Sequence, residues 1–76
     1  VKGKKMRKIT KLHNGGELIE TNSGSKYYFL NGKNHREDGP AIEFAGGGKY
    51  WYVNDIQVFC TTQEEFERLM RLKAFW

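Results

Sequence analysis

A repeat with a 23-residue period organises most of this chain. "GELIETNSGSKYYFLNG" (16–32) aligns with "GPAIEFAGGGKYWYVND" (39–55), and seven of the 17 positions are identical: Gly16/Gly39, Ile19/Ile42, Glu20/Glu43, Gly24/Gly47, Lys26/Lys49, Tyr27/Tyr50 and Asn31/Asn54. Tyr28/Trp51, Phe29/Tyr52 and Leu30/Val53 keep the same character. So extensive a match within 76 residues reads as two copies of one structural unit, 10–32 and 33–55. The length allows one domain, which buries only about 60% of its unfolded surface.

Each unit reads as a β-hairpin. A short strand (about 17–21, then 41–45) leads through a Gly/Ser-rich turn into an aromatic strand (about 26–30, then 49–53). The turns Asn22-Ser23-Gly24-Ser25 and Gly46-Gly47-Gly48 supply residues that accept positive φ. Asn31-Gly32 is the strongest two-residue hairpin signal, and Asn54-Asp55 holds the matching place in the second unit. Asn14-Gly15 closes an earlier hairpin from a strand at 7–12.

The pattern changes after residue 60. "TTQEEFERLMRLKAFW" reads as a helix over 61–75. Thr62 with Glu65, or equally Thr61 with Glu64, fits the capping-box spacing. Acids fill the first turn and Arg71 and Lys73 the last, which suits the helix dipole. Phe66, Leu69, Met70 and Lys73/Ala74 share one face, and that face is expected to pack on the sheet. The closing Phe75-Trp76 pair reads as a lid folded back over the sheet.

Side chains alternate along a strand, so Tyr27 and Phe29 oppose Tyr28 and Leu30, while Tyr50 and Tyr52 oppose Trp51 and Val53. Both faces of the sheet are apolar enough to bury, and one helix covers one of them. The surplus aromatics Tyr27, Tyr28, Tyr50, Trp51 and Tyr52 are the candidate partner-binding residues. The bland alternative is that loops and tails cover them. Lys26 and Lys49 flank these strands and would keep them soluble.

The net charge is +4, and Lys2, Lys4, Lys5, Arg7, Lys8 and Lys11 all precede the first acid, Glu17. Lys4, Lys5, Arg7, Lys8 and Lys11 thus form a basic arm suited to phosphate. A natural start at Met6 would make residues 1–5 a tag remnant. Ten basic and nine acidic residues would then remain, for a net +1. Cys60 is the single cysteine, so no internal disulfide is expected, and it reads as a small core residue. No apolar run approaches the roughly 18 residues of a membrane-spanning helix.

"YYFLNGKNHREDGPAIEF…GGKYWYVND" resembles the repeat of bacteriophage proteins that carry NGK-x-HREDGPA followed by K-x-WYVNG, often grouped as MORN-like. The resemblance covers about residues 26–55, with Asn31, Gly32, Lys33, His35, Arg36, Glu37, Asp38, Gly39, Pro40 and Ala41 all in place. Lys49, Trp51, Tyr52, Val53 and Asn54 match as well, but Asp55-Ile56-Gln57 stands where a further GK-x-HREDG would begin. The resemblance implies a β-hairpin repeat and a phage or mobile-element origin, and it implies no chemistry. In that family the motif recurs copy after copy, so it builds the repeat.

His35, Arg36, Glu37, Asp38, Gly39 and Pro40 are accordingly expected to form a structural turn. Asp38 can bond turn N–H groups, Arg36 can fork onto a carboxylate or carbonyls, and Pro40 can sit at a strand start. The competing nuclease reading takes His35 as base, Arg36 on phosphate and Glu37 or Asp38 on a metal. Adjacent strand residues diverge where metal ligands must converge, and His13, the other histidine, lies on a separate hairpin. No enzyme activity, metal or cofactor is expected. Gly46-Gly47-Gly48 leads into a strand and lacks the Lys-Ser/Thr of a phosphate loop.

The expected fold is α+β, mainly β: an antiparallel β-hairpin meander of MORN-like repeats with one C-terminal α-helix packed on the sheet. The expected function is that of a small phage-type, non-enzymatic protein-binding module. It would engage or inhibit a host protein or defence system in the cytoplasm of an infected bacterium. The alternatives are a nucleic-acid binder using the basic arm and the aromatic face, or a self-associating homodimer.

Overall fold

The computed structural model describes residues 7–72. Seven strands, β1 Arg7–Lys11, β2 Glu17–Thr21, β3 Lys26–Leu30, β4 Lys33–Asn34, β5 Ile42–Glu43, β6 Lys49–Val53 and β7 Ile56–Val58, precede one helix, α1 Gln63–Leu72. The strands form an antiparallel sheet in the order β1-β2-β3-β5-β6-β7, with β4 beside β3. Along one edge of β3, β5 pairs with Lys26 and Tyr27, and β4 pairs with Phe29 and Leu30. This is the expected α+β, mainly β arrangement of antiparallel hairpins with a C-terminal helix.

Three hairpins share one turn. Leu12, Thr21 and Phe44 each accept a bond from the N–H three residues on, at 3.1, 3.0 and 2.8 Å. Each also donates to the carbonyl four residues on. The third loop residue in each case, Gly15, Gly24 or Gly47, has φ between 88° and 108°, which glycine adopts freely. The tight turns behave differently. Asn31-Gly32 has φ of 55° and 78°, and Asn54-Asp55 has 51° and 69°, the left-handed pair of a type I′ turn.

Two strands lie where the sequence reading had none. The second tight turn leads into β7, whose Val58 pairs with Trp51. Shifted by 23 residues, that pair is Tyr28 and His35, whose N–H donates to Tyr28 O at 3.0 Å. The repeat therefore continues into β7 after its motif residues have gone. The strand expected at 41–45 shortens to Ile42–Glu43, because Phe44 to Gly48 close the turn.

Cross-strand register divides the sheet cleanly. On one face Lys8, Glu20, Lys26, Glu43 and Lys49 stand opposite one another in sequence, alternating in charge across five strands. Lys26 and Lys49 thus belong to a charged row, in which the Glu43 carboxylate is bonded by Arg36 at 3.3 Å. Beside that row on the same face lie Tyr28, Trp51 and Val58. On the other face Ile9, Ile19, Tyr27, Ile42 and Tyr50 form an apolar row across the same five strands.

The helix covers the charged-row face at its β6–β7 end. Trp51, Val53, Val58 and Phe66 form the buried cluster, with Cys60, Leu69 and Met70 packed against it. Phe66 and Val53 are fully enclosed, and the Trp51 and Phe66 rings lie 6.3 Å apart. Trp51 Nε1 donates to Gln63 Oε1 at 2.8 Å, so the buried indole keeps its partner. Thr62 caps the helix: its Oγ1 accepts from Glu65 N–H at 3.1 Å, while the Glu65 carboxylate accepts from Thr61 N–H at 3.1 Å. The helix face formed by Phe66, Leu69 and Met70 packs as expected. Residues 73–76, and with them the Phe75-Trp76 lid, lie outside the described residues, as do Lys4 and Lys5.

Thr62→Ala should cost about 1 kcal/mol, which lowers Tm by roughly 4–8 °C in a domain this small. Thr61→Ala, which keeps its backbone N–H, should leave Tm nearly unchanged. A thermal melt of the two variants against the parent checks both.

Candidate functional site

The His35–Pro40 stretch joins the two repeats. His35 N–H donates to Tyr28 O in the first hairpin, and Arg36 N–H donates to Tyr52 O in the second, at 3.1 Å. Asp55 N–H donates to Asn34 O at 2.9 Å, and Asn34 N–H returns to Asp55 Oδ1 at 2.7 Å. His35 is buried. Its Nδ1 accepts from Asn54 N–H at 3.1 Å, so Nε2 carries the proton and faces Glu37 Oε2 at 2.9 Å. Nδ1 thereby holds the tight turn of the second repeat, and Nε2 is engaged by Glu37 within the connector.

Arg36 is the centre of the stretch. Nε donates to Asp38 Oδ1 at 2.8 Å, and Nη1 donates to Pro40 O at 3.2 Å and Glu43 Oε2 at 3.3 Å. The guanidinium carbon sits 4.0 Å from the Tyr28 ring centroid, a cation–π contact. A side chain on Gly39 would come within 2.6 Å of that guanidinium. A side chain there would push the guanidinium out of its present bonds. Gly16, its counterpart in the repeat, meets the Phe29 carbonyl oxygen instead. The bond from Arg36 holds the Asp38 carboxyl below its usual range, against a smaller opposing effect of burial.

An open cleft of about 630 Å³ lies beside this stretch, lined among others by Leu12, His13, Tyr28, Leu30 and His35. The fold thus brings the two histidines to one cleft, which their separation in sequence did not suggest. No group of three or more His, Cys, Asp or Glu side chains able to hold a metal occurs among the described residues. Cys60 packs beside the core and donates to Val58 O at 3.6 Å. Burial, helped by Glu65, pushes its thiol pKa up, away from the reactive thiolate.

The five aromatic candidates do not form one surface. Trp51 is only 3% exposed beneath α1, so its place as a partner-binding residue is corrected: it is core. Tyr28 shares that face and lies under Arg36. Tyr27, Tyr50 and Tyr52 belong to the opposite face, away from α1. There Phe44 packs edge-on against both Tyr27 and Tyr50, with centroids 6.0 and 5.6 Å away. Phe44, Tyr50 and Ile9 are 42%, 41% and 53% exposed, while Ile19, Tyr27 and Ile42 are half-buried.

Ile9, Ile19, Ile42 and Phe44 were not among the sequence candidates. Counting alternate residues outward from the hairpin turns would have placed them beside Tyr27 and Tyr50.

The basic residues divide too. Lys11 pairs with Glu17 at 2.7 Å, and Lys8 stands opposite Glu20 on the other face. No helix among the described residues is long and apolar enough to cross a membrane. No protein-family model, curated protein or solved structure matches this chain.

His35→Ala leaves the Asn54 N–H without its partner and should cost about 1–3 kcal/mol, read as a lower Tm. Arg36→Lys keeps one charge but loses the fork, and should also lower Tm by several degrees. Asp38 has its pKa depressed in the fold. Its stabilisation is present above the unfolded carboxylate value near pH 4 and fades as pH falls through the lower folded value. Asp38→Asn should therefore flatten the acid side of a Tm–pH profile, modestly, because the carboxylate is largely exposed.

Proposed function

We propose that this chain is a small phage-type, non-enzymatic protein-binding module. It engages or inhibits a host protein in the cytoplasm of an infected bacterium. One observation carries the reading: the apolar row Ile9-Ile19-Tyr27-Ile42-Tyr50, edged by Phe44, lies on the sheet face away from α1. The charged row of the same strands lies on the other face, so the division is one of design and not of average composition. Aromatic and aliphatic anchors on a rigid sheet are what a protein partner's apolar surface takes up. The phage and host terms rest on the motif resemblance over residues 26–55.

The charge pattern favours protein over nucleic acid. The described strand cations on the apolar face are Arg7 and Lys11, both on β1 at one end of the row. A stacking surface for bases needs cations tracking the backbone beside it. His35, Arg36 and Asp38 are each bound to neighbouring groups of the chain, which favours a structural role over catalysis.

The test is affinity capture from a bacterial lysate, followed by reconstitution with the purified partner. Tyr50→Lys should abolish retention of a protein that the parent chain holds, while Tm falls by no more than a few degrees. Retention unchanged by Tyr50→Lys and by Phe44→Lys would overturn the proposal.

A further inference from the structure

Among the described residues the sheet ends at β1, and the backbone phase of that edge follows from two hydrogen bonds. Leu12 N–H donates to Gly16 O, and Thr21 N–H donates to Ser25 O, both at 2.9 Å. Hydrogen-bonded and non-bonded pairs alternate along an antiparallel ladder. From the first bond, Thr10 and Lys8 turn their backbone groups toward β2. From the second, Glu17, Ile19 and Thr21 bond toward β3, which leaves Leu18 and Glu20 for β1. The two counts agree. The N–H and C=O groups of Arg7, Ile9 and Lys11 therefore point away from the sheet. No strand among the described residues lies beyond β1, and all five of its residues are exposed.

We propose that this edge accepts an acidic, extended segment of another protein as an added antiparallel strand. The added strand would carry an acid opposite Lys8, an apolar residue opposite Ile9 and an acid opposite Lys11. The side-chain rows of the sheet specify this pattern. Lys8, Glu20, Lys26, Glu43 and Lys49 alternate in sign, and Lys8 ends the row with a cation whose outer side is open. The next strand continues the alternation with a carboxylate. On the opposite face Ile9 ends the apolar row, and the next strand continues it with an apolar side chain. Main-chain bonds supply the attraction in such strand addition, and the side chains set register.

The chain contains its own complementary strand. β2, with the sequence ELIET, meets the inner edge of β1 with Glu20 opposite Lys8, Ile19 opposite Ile9 and Glu17 opposite Lys11. A partner segment of the same pattern makes the same three side-chain pairs on the outer edge. A second copy of β1 fits less well. With Ile9 stacked on Ile9, Arg7 faces Lys11 at both ends, and like charges directly opposite are repulsive.

This inference deepens the protein-binding reading by naming the chemistry of the bound segment. Tyr50→Lys perturbs the apolar face at β6, far from β1, whereas Lys8→Glu perturbs β1 and its pairing with Glu20 on the opposite face, so the two proposals fail separately. The probe is a capped seven-residue peptide with the sequence of residues 16–22, titrated to millimolar concentration into the full isotope-labelled chain. Amide shifts report its site. A second peptide carries lysine at the position of Glu20. The parent chain should bind the acidic peptide about fivefold more tightly than the lysine peptide, with shifts centred on Ile9 and Lys11. In Lys8→Glu the preference should reverse. If that variant fails to fold, Lys8→Ser should lose the preference. Equal binding of both peptides, no binding, shifts centred away from β1, or a dimer joined through β1 would each overturn the proposal.

Discussion

Phe66 is wholly enclosed against Trp51, Val53 and Val58, and this contact is what lets so thin a sheet stand. A sheet this small needs a second layer. A ten-residue helix is about 15 Å long and covers only a few strands. It lands on β6 and β7, where the second repeat and its continuation present Trp51, Val53 and Val58. The enclosed apolar cluster gathers there, while β1 is exposed along its whole length. Among the described residues, that placement leaves one sheet face apolar and uncovered and one sheet edge open.

The connector between repeats performs a different kind of work. His35 and Arg36 join the hairpins through main-chain bonds to Tyr28 and Tyr52, and their side chains then hold the turns on either side. In the continuation of the repeat the equivalent of His35 is Val58, which is equally buried but serves the apolar core. One backbone position thus accepts a hydrogen-bonding side chain between repeats and a plain hydrophobe under the helix. The difference follows from what lies above each position. The imidazole meets polar turn groups, while the valine meets Phe66.

Much of this was legible beforehand because its causes are local. Asn31-Gly32 and Asn54-Asp55 announce their turns through backbone preference, and the aromatic strands through pattern. Thr62 and Thr61 were indistinguishable as caps, since both have a glutamate three residues on. The structure selects Thr62, whose Oγ1 accepts from Glu65 N–H just ahead of the first helical residue, Gln63. β7 was missed because its hairpin partner β6 supplies most of the reason for its existence. Trp51 was misplaced among surface residues because five aromatics were treated as one group, although alternation already set Tyr28 and Trp51 apart from Tyr27, Tyr50 and Tyr52.

The amino-acid sequence by itself determined the repeat, the hairpins, the helix and which side chains share a face. Those properties follow from turn chemistry and from the periods of strand and helix. Only the tertiary structure decided which face the helix covers, that His13 and His35 border one cleft, and that the charges of five strands line up in an alternating row. These depend on register and on docking between segments distant in the chain. Both faces of the sheet are apolar enough to attract a helix, so composition could not choose between them. The choice came from the packing of Phe66 on the Trp51 side.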